Sequence, residues 1–365
     1  MTGASGASGA LPPAARGDAM RAVVAEGGGV GLRTVAMPVA DTGEAIVRPL
    51  LALLTPLERE VARGLGSRDA APQAAAQIPA TAQIPATARI LGSACVGIVE
   101  RAPAGAPTGV AAPLRAGMRV VVQPVLSCGS CERCRGGLSI HCAERRIVGI
   151  DAPGVLAERV AVPASACLPV PDGLDDERAV FAAPLARAVE AVRRGGVARR
   201  SFASILGDDL VAILATLVAV DENPLARLVA SSAATLRIAE QLGIRHRANA
   251  ETGRRGDQEL VIDTTGSSTS IEAAARMARP RGHVVVAGLS ARGGVAVDLS
   301  RLALDEIEVH GSGFGPVAGA LGLLAQGAVD PAALVSRRAG LDEAPRLIGT
   351  VGDEGILSVL VQVSR

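Results

Sequence analysis

Four cysteines, Cys128, Cys131, Cys134 and Cys142, stand in the run CGSCERCRGGLSIHC with C-x2-C-x2-C-x7-C spacing. Thiolates this close can complete a tetrahedral shell around one zinc ion, and four of them leave no position open for a substrate. The chemistry that this spacing supports is structural metal binding. Disulfide pairing is the competing use of clustered cysteines, but it belongs to short, loop-rich secreted domains, and this chain has 365 residues. One structural zinc per chain is therefore expected. It accounts for how a lobe is held and leaves any activity to other residues.

Those other residues are sparse. Cys95 has no His or other base beside it in sequence, and a free cysteine is usually a small buried hydrophobe. Of the four histidines, His141 lies inside the cysteine run, and His246 sits between Arg245 and Arg247, which reads as surface. His283 opens an apolar run and His310 closes another; a capping or interior hydrogen-bonding role is expected of each. The chain has no Lys, Trp or Tyr and three Phe. Proton transfer would have to use Asp, Glu, Cys, His or water.

The net charge is 37 − 36 = +1, which gives no electrostatic case for nucleic acid or an anionic membrane. The apolar run LVAILATLVAV (210–220) is too short to span a bilayer. Thiolate ligands and the lack of a signal-like start point to the cytoplasm.

Several elements must position these groups. Residues 1–19, rich in Gly, Ala, Ser and Pro, are expected to be a disordered extension. Residues 20–50 and 89–125 read as short strands broken by Gly and Pro. Between them, QIPATA occurs twice in tandem (77–88), a duplicated loop. From about residue 173, strands at 203–207, 226–230, 260–264, 283–288 and 307–311 alternate with helices at 209–220, 232–243 and 268–278. That alternation predicts a doubly wound parallel sheet. The tail contains two further helices and a final strand, ILSVLVQV.

The cysteine run, together with LRAGMRVVVQPV before it and GVLAERVAVPASACLPVPDGL after it, resembles the structural-zinc lobe of the medium-chain dehydrogenase/reductase family. MRAVVAEGGG, VIDTTGS and ARPRGHVVVAGL extend the resemblance over nearly the whole chain from Met20. It implies an α/β fold: a GroES-like β-rich domain with a zinc lobe over 20–172, completed by 312–365, plus a Rossmann-type domain over 173–311. It also implies NAD(P), a homodimer or homotetramer, and a second, catalytic zinc that polarises the substrate oxygen.

The residues at the implied catalytic positions differ from the family pattern. The stretches LLTPLE, LGSAC and AAPLA place Thr55, Ser93 and Ala183 where the metal ligands stand, with Glu58 and Ala94 as their neighbours. Hydroxyls and a methyl group do not hold zinc against water. Glu58 is expected to be a solvated surface residue or a remnant of the former site. No catalytic residue is assigned.

In the nucleotide turn LGDDLVA, Gly207 keeps the first glycine position, Asp209 takes the second and Ala212 the third. Asp208 and Asp209 bring negative charge to the place implied for a pyrophosphate. At about 4 Å, a like-charge pair costs roughly 4 kcal/mol even at an effective dielectric near 20. The same residues are good helix caps. The ribose-binding acid is replaced by the stretch ASSAAT. There, Ser231, Ser232 and Arg237 offer a weak 2′-phosphate pattern, with Ser232 better suited to capping. Asp263, Gly266 and Gly288 match family positions near the nicotinamide half, and with Gly207 they are the candidate cofactor-binding residues. The expectation is a divergent relative that retains structural zinc and has reduced or no dehydrogenase activity, acting through binding or a protein partner. The alternative is an active NAD(P)-dependent oxidoreductase that works without catalytic zinc.

Overall fold

In the computed structural model, which describes residues 19–65, 88–104, 113–200, 202–251, 256–290 and 297–364, the later apolar runs become one six-stranded parallel sheet. Its spatial order is His246–Ala248, Arg227–Ala230, Ala203–Leu206, Gln258–Asp263, Ala278–Val286 and Glu308–Gly311. Counted along the chain this is 3-2-1-4-5-6, the doubly wound order in which the succession of strands reverses at the first strand. The crevice lies past the carboxyl ends of Ala203–Leu206 and Gln258–Asp263. All four residues of Ala203–Leu206 are buried, as befits a strand covered by helices on both faces.

Helix Leu210–Glu222 follows that strand and buries Leu210, Ile213 and Leu214 completely. Truncating either of the last two to Ala should cost about 2–5 kcal/mol. Helix Ala182–Gly195 packs against it and stops where Gly196 turns left-handed at φ +60°. The strand His246–Ala248 was not expected from the sequence, because its residues are exposed or half-buried and carry no apolar alternation.

The remainder is β-rich. A seven-stranded sheet runs Cys167–Pro169, Arg119–Val122, Cys95–Arg101, Glu44–Leu54, Val359–Gln362 and Arg337–Gly340, with Val160–Pro163 also on Glu44–Leu54. The tail strand Val359–Gln362 pairs antiparallel with Leu51–Leu54, so the end of the chain completes the sheet begun near its start. A smaller sheet orders Gly29–Ala36, Ala19–Glu26 and Arg89–Ile90. Residues 1–18 and 77–87, which hold most of the expected extension and repeat, lie outside the described residues; Ala19 is already in strand. No helix among the described residues is long and apolar enough to cross a membrane.

Candidate functional site

The cysteine lobe is built on two short helical turns, Glu132–Arg135 and Ser139–His141. They fold the loop back so that the four sulfurs converge. Sγ–Sγ separations are 3.5 Å for Cys131–Cys134 and Cys128–Cys142, 3.8 Å for Cys131–Cys142 and 3.9 Å for Cys128–Cys134. A tetrahedron with zinc–sulfur bonds of about 2.3 Å has edges of about 3.8 Å, whereas a disulfide is about 2.05 Å long. The spacing fits a four-thiolate metal site. Backbone amides support the sulfurs: Cys131 N donates to Cys128 Sγ at 3.4 Å, and Glu144 N to Cys142 Sγ at 3.4 Å. Amides of Ser130 and Cys131 hold the Cys128 thiol down to about 6. His141 is exposed, and its carbonyl accepts from Arg133.

The implied catalytic-metal positions form a different kind of centre. Thr55 caps helix Pro56–Ala62 in a capping box with Glu58. Glu58 Oε2 accepts from Thr55 N and Oγ1, both at 2.8 Å. Its Oε1 accepts from Ser93 N at 3.1 Å and Ser93 Oγ at 2.7 Å. Glu58 is 2 % exposed, so the expectation of a solvated surface residue is corrected. A carboxylate beside a helix start and two inward hydroxyls is drawn into the interior by the donors that saturate it. Ala94, next to Ser93 in the chain, and Ala183 are both buried. Cys95 is also buried, and its thiol is pushed up to about 12 by burial, which removes it as a nucleophile at neutral pH.

The nucleotide turn is equally occupied. Asp209 Oδ1 accepts from Ala212 N at 2.8 Å and Thr264 Oγ1 at 2.9 Å. Asp208 Oδ1 reaches across to Ser231 N at 3.0 Å and Ser232 N at 2.8 Å. Ser232 caps helix Ala233–Gln241 through Ala234 N and Thr235 N, and Arg237 is exposed. Gly207 packs so closely on Thr264 that a Cβ there would collide with its hydroxyl. Asp263, fully buried, accepts from Thr265 N at 3.1 Å and Gly266 N at 3.0 Å. Gly288 donates to the Asp263 carbonyl at 3.2 Å, and its Cα packs against the Gly266 backbone with no room for a Cβ. Gly207, Asp263, Gly266 and Gly288 are thus brought together at the strand ends. Burial pushes the carboxyls of Asp209 and Asp263 above the ordinary range.

Arg187 was missed from the sequence. It lies one helical turn after Ala183 on helix Ala182–Gly195, and an Arg within the otherwise apolar stretch 182–189 was the available signal. Its NH2 donates to the Ala287 carbonyl at 3.2 Å, and its guanidinium carbon lies 5.7 Å from the Phe314 ring centre. Burial lowers its pKa, opposed by the charges of Asp209 and Glu58. His246 is exposed on its short strand. His283 and His310 lie at the far edge of the parallel sheet rather than beside these groups.

A β-rich unit with a four-cysteine lobe, joined to a doubly wound sheet, defines the zinc-type dehydrogenase class of fold. The Alcohol dehydrogenase GroES-like domain family matches residues 59–172. An uncharacterized zinc-type alcohol dehydrogenase-like protein of Haemophilus influenzae is 26 % identical over 277 residues, 72 % of this chain and 79 % of that protein. The L-idonate 5-dehydrogenase of Vitis vinifera is 27 % identical over 237 residues, 60 % of this chain and 63 % of that enzyme. Among solved structures, a putative zinc-binding dehydrogenase from Sinorhizobium meliloti bound to NADP is 26 % identical with a TM-score of 0.77, covering 94 % of this chain and 99 % of that one. In sequence and in fold the chain is similar to members of the medium-chain dehydrogenase/reductase family.

Proposed function

We propose that this chain is a zinc-stapled relative of the dehydrogenases with reduced or no dehydrogenase activity, acting through binding or as a partner of another protein. The observation that carries this reading is the engagement of Asp208 and Asp209 with the amides of Ser231, Ser232 and Ala212. Amides at a helix start are the groups that bind a phosphate, and here side-chain carboxylates already take them. Two further features support it: Thr55, Ser93 and Ala183 at the implied metal positions, and the four saturating hydrogen bonds on Glu58.

Cys128, Cys131, Cys134 and Cys142 would hold one structural zinc, which contributes folding energy and takes no part in a reaction. In this reading, residues 20–172 with 312–365 form the zinc-bearing domain and residues 173–311 the nucleotide-type domain. A homodimer or homotetramer is the assembly expected of it, and the cytoplasm its compartment.

One observation favours a second reading, an active NAD(P)-dependent oxidoreductase that needs no catalytic zinc. The relative bound to NADP shares the fold over nearly the full length of both chains. In that case Gly207, Asp263, Gly266 and Gly288 would line the cofactor, and the Asp208–Asp209 turn would have to open. Fluorescence titration with NADH and NADPH separates the two. The chain has no Trp or Tyr, so the background is low. No binding is expected; micromolar binding of either nucleotide would transfer the proposal to the enzyme reading.

A further inference from the structure

The last two strands of the parallel sheet carry a second convergence of ligand atoms. Ala278–Val286 and Glu308–Gly311 run parallel, with His283 opposite Glu308 and Val285 opposite His310. Residues two apart in a strand share a face, so Glu308 and His310 stand side by side, and His283 faces both. His283 Nδ1 lies 3.5 Å from His310 Nε2 and 3.4 Å from Glu308 Oε2. His310 Nε2 lies 3.3 Å from the same carboxylate oxygen. With metal–ligand distances of about 2.1 Å, the edge of a tetrahedral site is about 3.4 Å. The three atoms therefore have the mutual spacing of one face of such a site. Two histidines sharing a hydrogen bond with Glu308 would account for the His–Glu distances. That arrangement does not require the two ring nitrogens to approach each other as well.

We propose that His283, Glu308 and His310 form a second metal site, distinct from the thiolate lobe, for a borderline divalent transition ion of the zinc, cobalt and nickel class. Imidazole with one carboxylate selects these ions over magnesium and calcium, which take oxygen ligands. Three protein ligands leave a position for water. The side chains of His283, His310 and Glu308 are 17 %, 34 % and 61 % exposed, so an ion can reach them from solvent. The charges of Arg200 and Arg279 act on His283 and oppose a further cation. Affinity should therefore be lower than that of the four-thiolate lobe, and the ion exchangeable.

The test is titration of the zinc-loaded full chain with cobalt(II), read by visible spectroscopy and by metal content after gel filtration. The expected result is one additional ion per chain, with d–d bands but no thiolate-to-cobalt charge transfer. H283A/H310A should lose that ion while its cysteine-lobe metal and melting temperature stay unchanged, and E308Q should weaken binding at least tenfold. The proposal is overturned if the wild type takes up no additional ion, if the cobalt signal carries only thiolate charge transfer, or if H283A/H310A binds as the wild type does. The double variant reads this site alone, so the result is independent of the cofactor and zinc readings above.

Discussion

In the lobe from Cys128 to Cys142, four sulfurs lie within 4.8 Å of one another, and backbone amides donate to them. In the cleft, Glu58, Asp208 and Asp209 each accept at least two hydrogen bonds from this chain's own amides and hydroxyls. The first region groups ligand atoms at the spacing that suits a metal ion of a particular size and charge. The second has donors that a substrate, metal water or phosphate could have used, already satisfied from within. Both regions sit in the same scaffold, so the difference is local chemistry rather than fold.

The largest effect should come from the lobe. Cys142→Ser should reduce bound zinc from one per chain towards none and unfold the loop, since structural zinc sites are worth of order 10 kcal/mol in small peptides. Metal analysis with circular dichroism would show this. A zinc-free protein of unchanged melting temperature would remove the contrast between the two regions.

Opening the nucleotide turn should come next. Replacing Asp208 and Asp209 together by Gly removes about 4 kcal/mol of repulsion, equivalent to roughly a thousandfold in Kd for NADPH. The nucleotide titration measures it. If the double variant binds no better, the turn charges are not what separates the cleft from a working site, and Arg187 beside Ala287 and Phe314 becomes the obstacle to examine.

A smaller effect is expected at Glu58. Glu58→Ala leaves the buried amides and hydroxyls of Thr55 and Ser93 without their acceptor and removes half of a capping box, a loss of about 3 kcal/mol. A shift in the urea midpoint reads it. Retained stability would mean that water replaces the carboxylate, so the centre is more open than its burial implies.

The smallest effect is a pH dependence. Burial raises the folded-state pKa of Asp209 above the ordinary value of 3.8. The folded chain then holds that proton more tightly than the unfolded one. Its contribution to stability is full below pH 3.8 and is lost as pH rises through the raised value. Asp209→Asn keeps a capping side chain and removes the titration, so its stability should fall less than that of the wild type over this rise. Equal slopes in urea denaturation at stepped pH would show that Asp209 is as solvated as an ordinary surface carboxylate.

The two regions also differ in how far they could be read in advance. Cysteine spacing over a short run sets the distances between sulfurs almost by itself, because the intervening loops have little freedom. The doubly wound sheet was legible for a related reason: buried parallel strands carry apolar residues in succession, as in Ile205–Leu206 and Leu260–Ile262. The short strand His246–Ala248 was not, because an exposed edge has no apolar pattern to follow. Glu58 looked like a surface acid in sequence, since its acceptor role needs Ser93, which is 35 positions away. Arg187 gained its meaning only when Ala287 and Phe314 were packed against it.

By itself, the sequence determined the elements whose chemistry is local: the thiolate cluster, the Asp209 and Ser232 helix caps, and the alternation that makes a Rossmann-type sheet. Only the tertiary structure decided which polar groups neutralise one another. That depends on contacts between residues remote in the chain, as when Asp208 reaches the amides of Ser231 and Ser232, Thr264 meets Asp209, and His283 meets Glu308 and His310. Hydrogen bonds and ligand sets act over about 3 Å, and the fold alone brings such partners within that range.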